Sequence, residues 1–337
     1  MSSSQPPSPI LFFETLTAYQ NTAALKAALD LKLFTALGQS RMTADEIATR
    51  CDASRRGVRM LCDFLTILGF LEKNDGRYSL TSDSAVFLDE NSPAYAGSAA
   101  TFLLSPTIRA AFDDLATAVR KGGTALPDEG TMAPDHPVWV DFARGMAPMV
   151  DAPSRAVVEL LPLDAAGAPR ILDIAAGHGL YGIALARKNP RAQLVALDWA
   201  PVLEVARENA KAAKLGDRFS TILGNAFEVD LGENYDIVLV PNFLHHFDPP
   251  TCVSFLKKVH RALRLGGKIA IIEIVPNPDR VTPPEAAGFS LVMLATTAAG
   301  DAYTFAEFEE MLSQSEFNEV AQHPLPPSRA TAVLATK

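Results

Sequence analysis

Residues Ile171 to Gly182, taken together with Asp198, constrain this chain more than any other stretch. Ile171-Leu-Asp-Ile-Ala-Ala176 is a short apolar run of strand type, and Gly177-His-Gly179-Leu-Tyr-Gly182 follows it at once. Glycine at the first positions lets the main chain turn sharply into a helix and lets a ligand lie against bare backbone. Asp198 ends the next apolar run about 20 residues on, the spacing at which a second parallel strand presents a carboxylate to a ribose diol. The segment is therefore expected to bind a nucleoside. Gly177-x-Gly179-x-x-Gly182 also satisfies the dinucleotide fingerprint, but that pattern alone is a weak signal, and Asp173 stands where a nicotinamide-binding strand keeps an apolar residue.

Further along, apolar runs alternate with stretches of helical spacing. Gln193 to Leu197, Phe219 to Leu223, Tyr235 to Val240 and Lys268 to Ile274 read as strands, and Val202 to Ala213 and Thr251 to Leu263 as helices. Leu265-Gly-Gly267 is expected to stop the second helix ahead of its strand. Two more strand-like runs, Glu319 to His323 and Thr331 to Thr336, close the chain. The fold class is α/β, a doubly wound, Rossmann-like parallel sheet whose ligands bind outside the carboxyl ends of the strands. That places Ala175 to Gly179, Asp198, Gly224 to Phe227, Asn242 to Phe247 and Glu273 at the site.

At 337 residues and 48% hydrophobic, the chain is long enough for two cores. No apolar run reaches the roughly 20 residues a membrane span needs, and Met1 to Pro9 lacks the basic end and apolar core of a signal peptide, so a cytoplasmic protein with no membrane partner is expected. Cys51, Cys62 and Cys252 lie far apart without metal-ligand spacing, which points to reduced thiols and no structural metal.

Ahead of the sheet, Thr43 to Ala48 opens a capped helix, Ser54 to Leu68 makes a second, and Phe70 to Leu80 reads as a hairpin turning at Asp75-Gly76. This is a winged-helix pattern. Arg55, Arg56 and Arg59 fall where a recognition helix presents its charges, but a net charge of −9 argues against a nucleic-acid partner. The expected organisation is a disordered tail over 1–9, a winged-helix domain over 10–93, a helical connector and active-site roof over 94–165 broken at Gly122-Gly123, Pro127, Pro134 and Pro137, and a nucleoside-binding domain over 166–337. Phe102, Trp139, Phe142, Met146 and Met149, with Phe289 and Met293, are candidates to line an apolar pocket for a planar substrate, each with plain core packing as the alternative.

On Asp173-Ile-Ala-Ala-Gly-His-Gly179, Asp198, Gly224-Asn-Ala-Phe227, Leu244-His-His-Phe247 and Gly266-Gly-Lys-Ile-Ala-Ile-Ile-Glu273, in that order, nearly the whole chain resembles the S-adenosylmethionine-dependent small-molecule O-methyltransferases. That family includes plant caffeate and isoflavone enzymes and bacterial polyketide, carotenoid and bacteriochlorophyll relatives. The resemblance implies S-adenosylmethionine as cosubstrate, no metal, and a homodimer through the winged-helix domain. It implies donor contacts at Asp173, Gly177, Gly179, Asp198, Asn225, Ala226 and Phe227, and places Phe142 and Met146 beside the transferred methyl group. The family's catalytic His-Asp-Trp maps onto His245-His246-Phe247, which makes His245 the general base.

A phenol with a pKa of about 10 needs such a base, and the ordinary pKa of histidine, about 6.5, leaves it ready to accept a proton. Two departures from the family pattern stand out. The plant enzymes clamp their histidine with two glutamates; Glu273 matches one, but Ala302 stands in place of the other, leaving Asp301 or Tyr303 as possible substitutes. Asn225 replaces a residue that is usually acidic and accepts from the adenine amino group, although its amide oxygen can still accept. His178 is expected to be a turn residue. The competing readings are a C- or N-methyltransferase of the same fold, a winged-helix regulator that senses S-adenosylmethionine without turnover, and, more distantly, a dehydrogenase.

Overall fold

The computed structural model describes residues 7–127, 130–133, 135–161, 163 and 167–337. Residues 1–6 of the expected tail and the break at Pro134 lie outside the described residues. The chain divides into two compact units, residues 1–100 and 101–337. The expected connector is thus no unit of its own; from Thr101 onward it belongs to the second unit.

The first unit opens with two helices, Ile10–Thr17 and Tyr19–Asp30. Thr15 and Thr17 turn their hydroxyls back onto the carbonyls of Leu11 and Phe13, competition that weakens a helix, and the chain breaks at Ala18. The strands β1 (Met42–Thr43), β2 (Leu71–Asn74) and β3 (Arg77–Leu80) form an antiparallel sheet in the order β1-β3-β2. Thr43 caps helix Ala44–Arg50, with Glu46 returning the bond in a full capping box, and Ser54 caps helix Arg55–Ile67. Asp75 and Gly76 both sit at positive φ, as a tight hairpin turn of this twist requires. These elements are the winged helix expected from the sequence. Arg55 pairs with Asp45 and Arg59 with Asp63.

In the second unit, β4 (Arg170–Ile174), β5 (Gln193–Asp198), β6 (Phe219–Leu223), β7 (Tyr235–Pro241), β8 (Leu263–Glu273), β9 (Asn318–Pro324) and β10 (Thr331–Thr336) form, among the described residues, one sheet in the order β6-β5-β4-β7-β8-β10-β9. From β6 to β8 all neighbours are parallel, whereas β10 runs antiparallel between β8 and β9. The sheet is therefore mixed, not wholly parallel. Its central strands are mostly apolar because both faces are covered, with Asp173 of β4 a buried exception. Leu172, Val238 and Ile271 face a cluster with helices Pro249–Ala262 and Phe305–Ser313, while Ile171, Leu239 and Ile272 face one with helices Asp151–Leu160 and Leu180–Lys188.

Leu265-Gly-Gly267 lies inside β8 and does not precede it. The helix already ends at Ala262, and the pairing jumps from Tyr235 opposite Leu263 to Ile237 opposite Lys268. Gly266 takes φ +70°, and a side chain on Gly267 would press on the carbonyls of Arg264 and Tyr235. The glycines make a bulge in the strand. Strand order reverses between β4 and β7, so the loops after these two strands part there and open a crevice at their carboxyl ends.

Candidate active site

The register of β7 against β8 builds one side of the crevice. Pro241 lies opposite Ile272, and Asn242 donates its N–H to the Ile272 carbonyl at 2.8 Å, so the next residue of β8, Glu273, faces the turn that follows β7. That turn, Leu244–His246, presents its N–H groups to the carboxylate. Glu273 Oε1 accepts from the backbone of Phe243 at 3.0 Å, Leu244 at 2.9 Å and His245 at 3.4 Å, and Oε2 meets His245 Nδ1. Glu273 is 1% exposed and His245 5%. A carboxylate so surrounded by donors leaves His245 Nδ1 as the N–H and puts the ring's lone pair on Nε2.

The other faces of the His245 ring are packed. Phe289 meets it in a T-shaped contact with centroids 4.9 Å apart, and His246 lies alongside at 4.1 Å between centroids. Neither substitute suggested for the second glutamate reaches the imidazole. Asp301 pairs with Arg280 at 3.2 Å and accepts from the Ala302 N–H, and Tyr303 donates its hydroxyl to the Phe247 carbonyl. Gly300 is required here, because a side chain would fall 2.2 Å from the His245 carbonyl.

Across the crevice, Gly177 and Gly179 take φ +56° and +70°, the left-handed region that other residues enter at a cost. Gly182 is needed for a different reason, because a side chain there would collide with Leu194 and with Asp173 Oδ2, to which Gly182 donates its own N–H at 3.1 Å. Asp198 accepts from Gly177 N on one oxygen and Trp199 N on the other, both at 2.8 Å. Asp173 is fully buried, and its Oδ1 is the only side-chain polar atom among the described residues that is both sealed and unpartnered. Burial pushes Asp173 up to about 8, helped by the Asp198 charge, and burial pushes Asp198 up to about 6. Raised this far, Asp173 is largely uncharged near neutral pH, and Asp198 carries the negative charge at this end of the crevice.

Asn225 spends its amide internally, accepting from Phe227 N at 3.0 Å and donating to Glu228 at 2.9 Å. Phe227 is packed among Phe243, Phe247 and Phe255, and Ala226 is buried. His178 is a turn residue, as expected: its Nδ1 accepts from Leu180 N at 3.2 Å, Asn209 holds its carbonyl at 2.8 Å, and burial lowers its pKa to about 4.

A continuous run of rings joins the glycine loop to the histidine turn. Tyr181 meets His178, Phe142 stacks parallel to His178, Trp139 meets Phe142, and His246 meets Trp139, with centroid distances from 5.1 to 6.3 Å. Phe102 packs edge-on to Phe142 at 5.1 Å. Phe142, from helix Val138–Gly145, comes within 3.6 Å of where a Gly177 side chain would begin. Met146 follows that helix half-buried, and Met293 is buried in helix Phe289–Thr296. Met149 is 52% exposed and does not join this lining. Tyr181 was not foreseen, since nothing in its spacing separates it from a core residue. Burial, with Asp173 and Glu273 nearby, raises its phenol.

Residues 112–318 match the model of the O-methyltransferase domain, and residues 13–90 that of the O-methyltransferase dimerisation domain. The chain is 30% identical over 322 residues to the 3-hydroxy-5-methyl-1-naphthoate 3-O-methyltransferase of Streptomyces sahachiroi, covering 93% of this chain and 90% of that one. A solved structure from Nostoc punctiforme, assigned as an O-methyltransferase, matches with TM-score 0.96 at 52% identity over 98% of this chain and 100% of its own. Human N-acetylserotonin methyltransferase in complex with S-adenosylmethionine shares the fold, with TM-score 0.85 at 22% identity over 100% and 99% of the two chains. The chain belongs to the S-adenosylmethionine-dependent O-methyltransferase family. It is an enzyme that moves a methyl group onto a hydroxyl of a small molecule. Among the described residues no helix is long and apolar enough to cross a membrane.

Proposed function

We propose that the acceptor is a planar hydroxyaromatic metabolite and that His245, oriented by Glu273, is the general base. The observation that carries this reading is the buried Glu273 carboxylate, which ties down three backbone N–H groups of the histidine turn and the imidazole itself. Bound S-adenosylmethionine supplies a methyl group already activated on a sulfonium, so no metal is needed. The chain's residues handle the proton. His245 Nε2 takes it from the acceptor hydroxyl as the oxygen–carbon bond forms, and Glu273 stabilises the resulting imidazolium through Nδ1–H. Phe142, Met146, Phe289 and Met293 hold the aromatic plane and exclude water. The Streptomyces naphthoate enzyme favours a fused-ring acceptor, and the run of rings from Tyr181 to His246 suits one.

The donor fits the opposite side of the crevice: Gly177 and Gly179 offer bare main chain, Asp198 faces the ribose hydroxyls, and Asn225 to Phe227 flank the adenine. Asp173, sealed behind the loop, acts on the donor through Gly182, whose N–H it accepts, without contact. Asp198→Ala is expected to weaken S-adenosylhomocysteine binding at least about tenfold, because a hydrogen bond to a carboxylate contributes about 1.5–3 kcal/mol. Calorimetry checks this, and tighter binding of NAD than of S-adenosylhomocysteine would refute the donor assignment. Turnover is tested by incubating the protein with S-adenosylmethionine and a panel of naphthols, hydroxyquinones and phenols, and measuring S-adenosylhomocysteine.

The working form is a homodimer in the cytosol. Ile10, Leu11, Phe12, Phe13, Leu16 and Tyr19 are each between 56% and 74% exposed, an apolar surface of the kind that marks an interface. The apolar residues that follow serve the unit itself: Leu33 and Phe34 are buried in its core, and Leu25, Leu29 and Leu31 pack against it. Light scattering is expected to give the mass of two chains at micromolar concentration. A folded monomer would contradict the assignment.

A further inference from the structure

The turn after β7 carries two imidazoles, and the reaction as derived uses one. His246 is 8% exposed, and its Nδ1 lies 3.1 Å from the Phe243 carbonyl, which can only accept. Nδ1 is therefore the N–H and Nε2 the lone pair, the same arrangement that Glu273 imposes on His245. Burial, and then the neighbouring His245, hold the His246 pKa well below the ordinary value, so the ring stays a neutral acceptor.

Neither Nε2 has a hydrogen-bond partner among the described residues, yet neither is sealed, since the one sealed and unpartnered side-chain atom is Asp173 Oδ1. The two rings lie 4.1 Å apart. A separate cleft of about 330 Å³ runs behind this turn, along Pro249, Gly300 and Tyr303, and neither imidazole is among its lining residues. Trp139 holds the His246 ring in a T-shaped contact with centroids 5.1 Å apart, while the indole N–H is occupied by the Thr131 carbonyl at 3.0 Å. Two fixed acceptors, side by side, thus await proton donors, and the reacting hydroxyl accounts for one.

We infer that His246 Nε2 accepts a hydrogen bond from a second hydroxyl next to the one that is methylated, so that the preferred acceptors are aromatics with two neighbouring hydroxyl groups and His246 selects them. This rests on the reading of His245 as the base. His246 is a positioning residue: the second hydroxyl keeps its proton, and the bond fixes which oxygen meets the base. An acceptor lacking that hydroxyl leaves a buried lone pair without a donor.

The test compares 2,3-dihydroxynaphthalene with 2-naphthol on the full-length protein, by kcat/KM and by calorimetric binding to the S-adenosylhomocysteine complex. The wild type is expected to favour the diol about tenfold or more by either measure. His246→Leu, which keeps the bulk and loses the acceptor, is expected to bring the ratio near one, mostly through KM. His246→Gln, whose side-chain oxygen can accept, is expected to keep part of the preference.

A wild-type ratio near one, or a His246→Leu ratio as large as the wild type's, overturns the assignment. The binding ratio decides the matter even for a variant without turnover. Failure of the underlying reading looks different: His245→Ala would then retain its kcat, while the diol preference would still report on His246.

Discussion

Replacing His245 by alanine is expected to lower kcat by about 10²–10⁴ while leaving the affinity for S-adenosylhomocysteine nearly unchanged. The imidazole sits on the strand β7 side of the crevice, and the donor contacts proposed above lie on the loops after β4, β5 and β6, so the two losses are expected to separate. The defect is expected to shrink for acceptors with more acidic hydroxyls, which give up the proton without help. The sequence suggests that shrinkage from Ala302, which leaves His245 with one glutamate. The structure puts Glu273 on the ring's Nδ1 and Phe289 and His246 against the ring, so one carboxylate and packing together set its orientation. Single-turnover rates for His245→Ala across a series of substituted naphthols, beside calorimetry of the same protein, check both parts. Small, equal losses on every analogue would make His245 a structural residue.

The parts of this fold that were legible in the sequence are those whose signal is local. Strand β6 has the bounds read from its apolar run, and the Thr43 and Ser54 caps start their helices as read. Local rules failed where a distant partner decides. Leu265-Gly-Gly267 looks like a helix stop, but its backbone is claimed by Tyr235 of β7 and by Lys337 at the far end of β10, which exchanges hydrogen bonds with Gly266 and Gly267. The direction of β10 leaves no local mark, because an apolar run reads the same in both senses.

At the candidate site, the placement of the glycine loop and Asp198 was legible because the spacing of strand, turn and next strand end sets it. The position of Glu273 came from the resemblance, and the register of β7 against β8 supplies its cause. The ring sequence Tyr181, His178, Phe142, Trp139, His246 was not legible as a set. It joins a glycine loop, a helix and a strand-end turn from positions more than a hundred residues apart, and only the packed structure brings them together.

Changing Glu273 to glutamine is expected to lower kcat by about 10²–10⁴ with little loss of fold, and its cause is a tautomer. Glutamine is nearly isosteric with glutamate, and its amide oxygen can keep the place of Oε1, accepting from the N–H groups of Phe243, Leu244 and His245. The amide nitrogen then takes the place of Oε2 and donates where a carboxylate accepted. His245 Nδ1 must become the acceptor, so the proton moves to Nε2 and the ring presents an N–H to the substrate where it needs a lone pair. The imidazolium also loses its counter-charge. Glu273→Ala would confound this result, because it strands buried backbone donors at a cost of about 1–3 kcal/mol each and loosens the whole turn.

The glutamine variant is expected to keep a melting temperature within a few degrees of the wild type and to bind S-adenosylhomocysteine normally. Nitrogen NMR of labelled histidine reads the tautomer directly: Nδ1 of His245 carries the proton in the wild type and Nε2 carries it in Glu273→Gln. A variant that shows the switched tautomer but turns over at the wild-type rate would mean that the proton leaves the acceptor by another route. One that keeps the wild-type tautomer and loses activity would place the role of Glu273 in the shape of the turn.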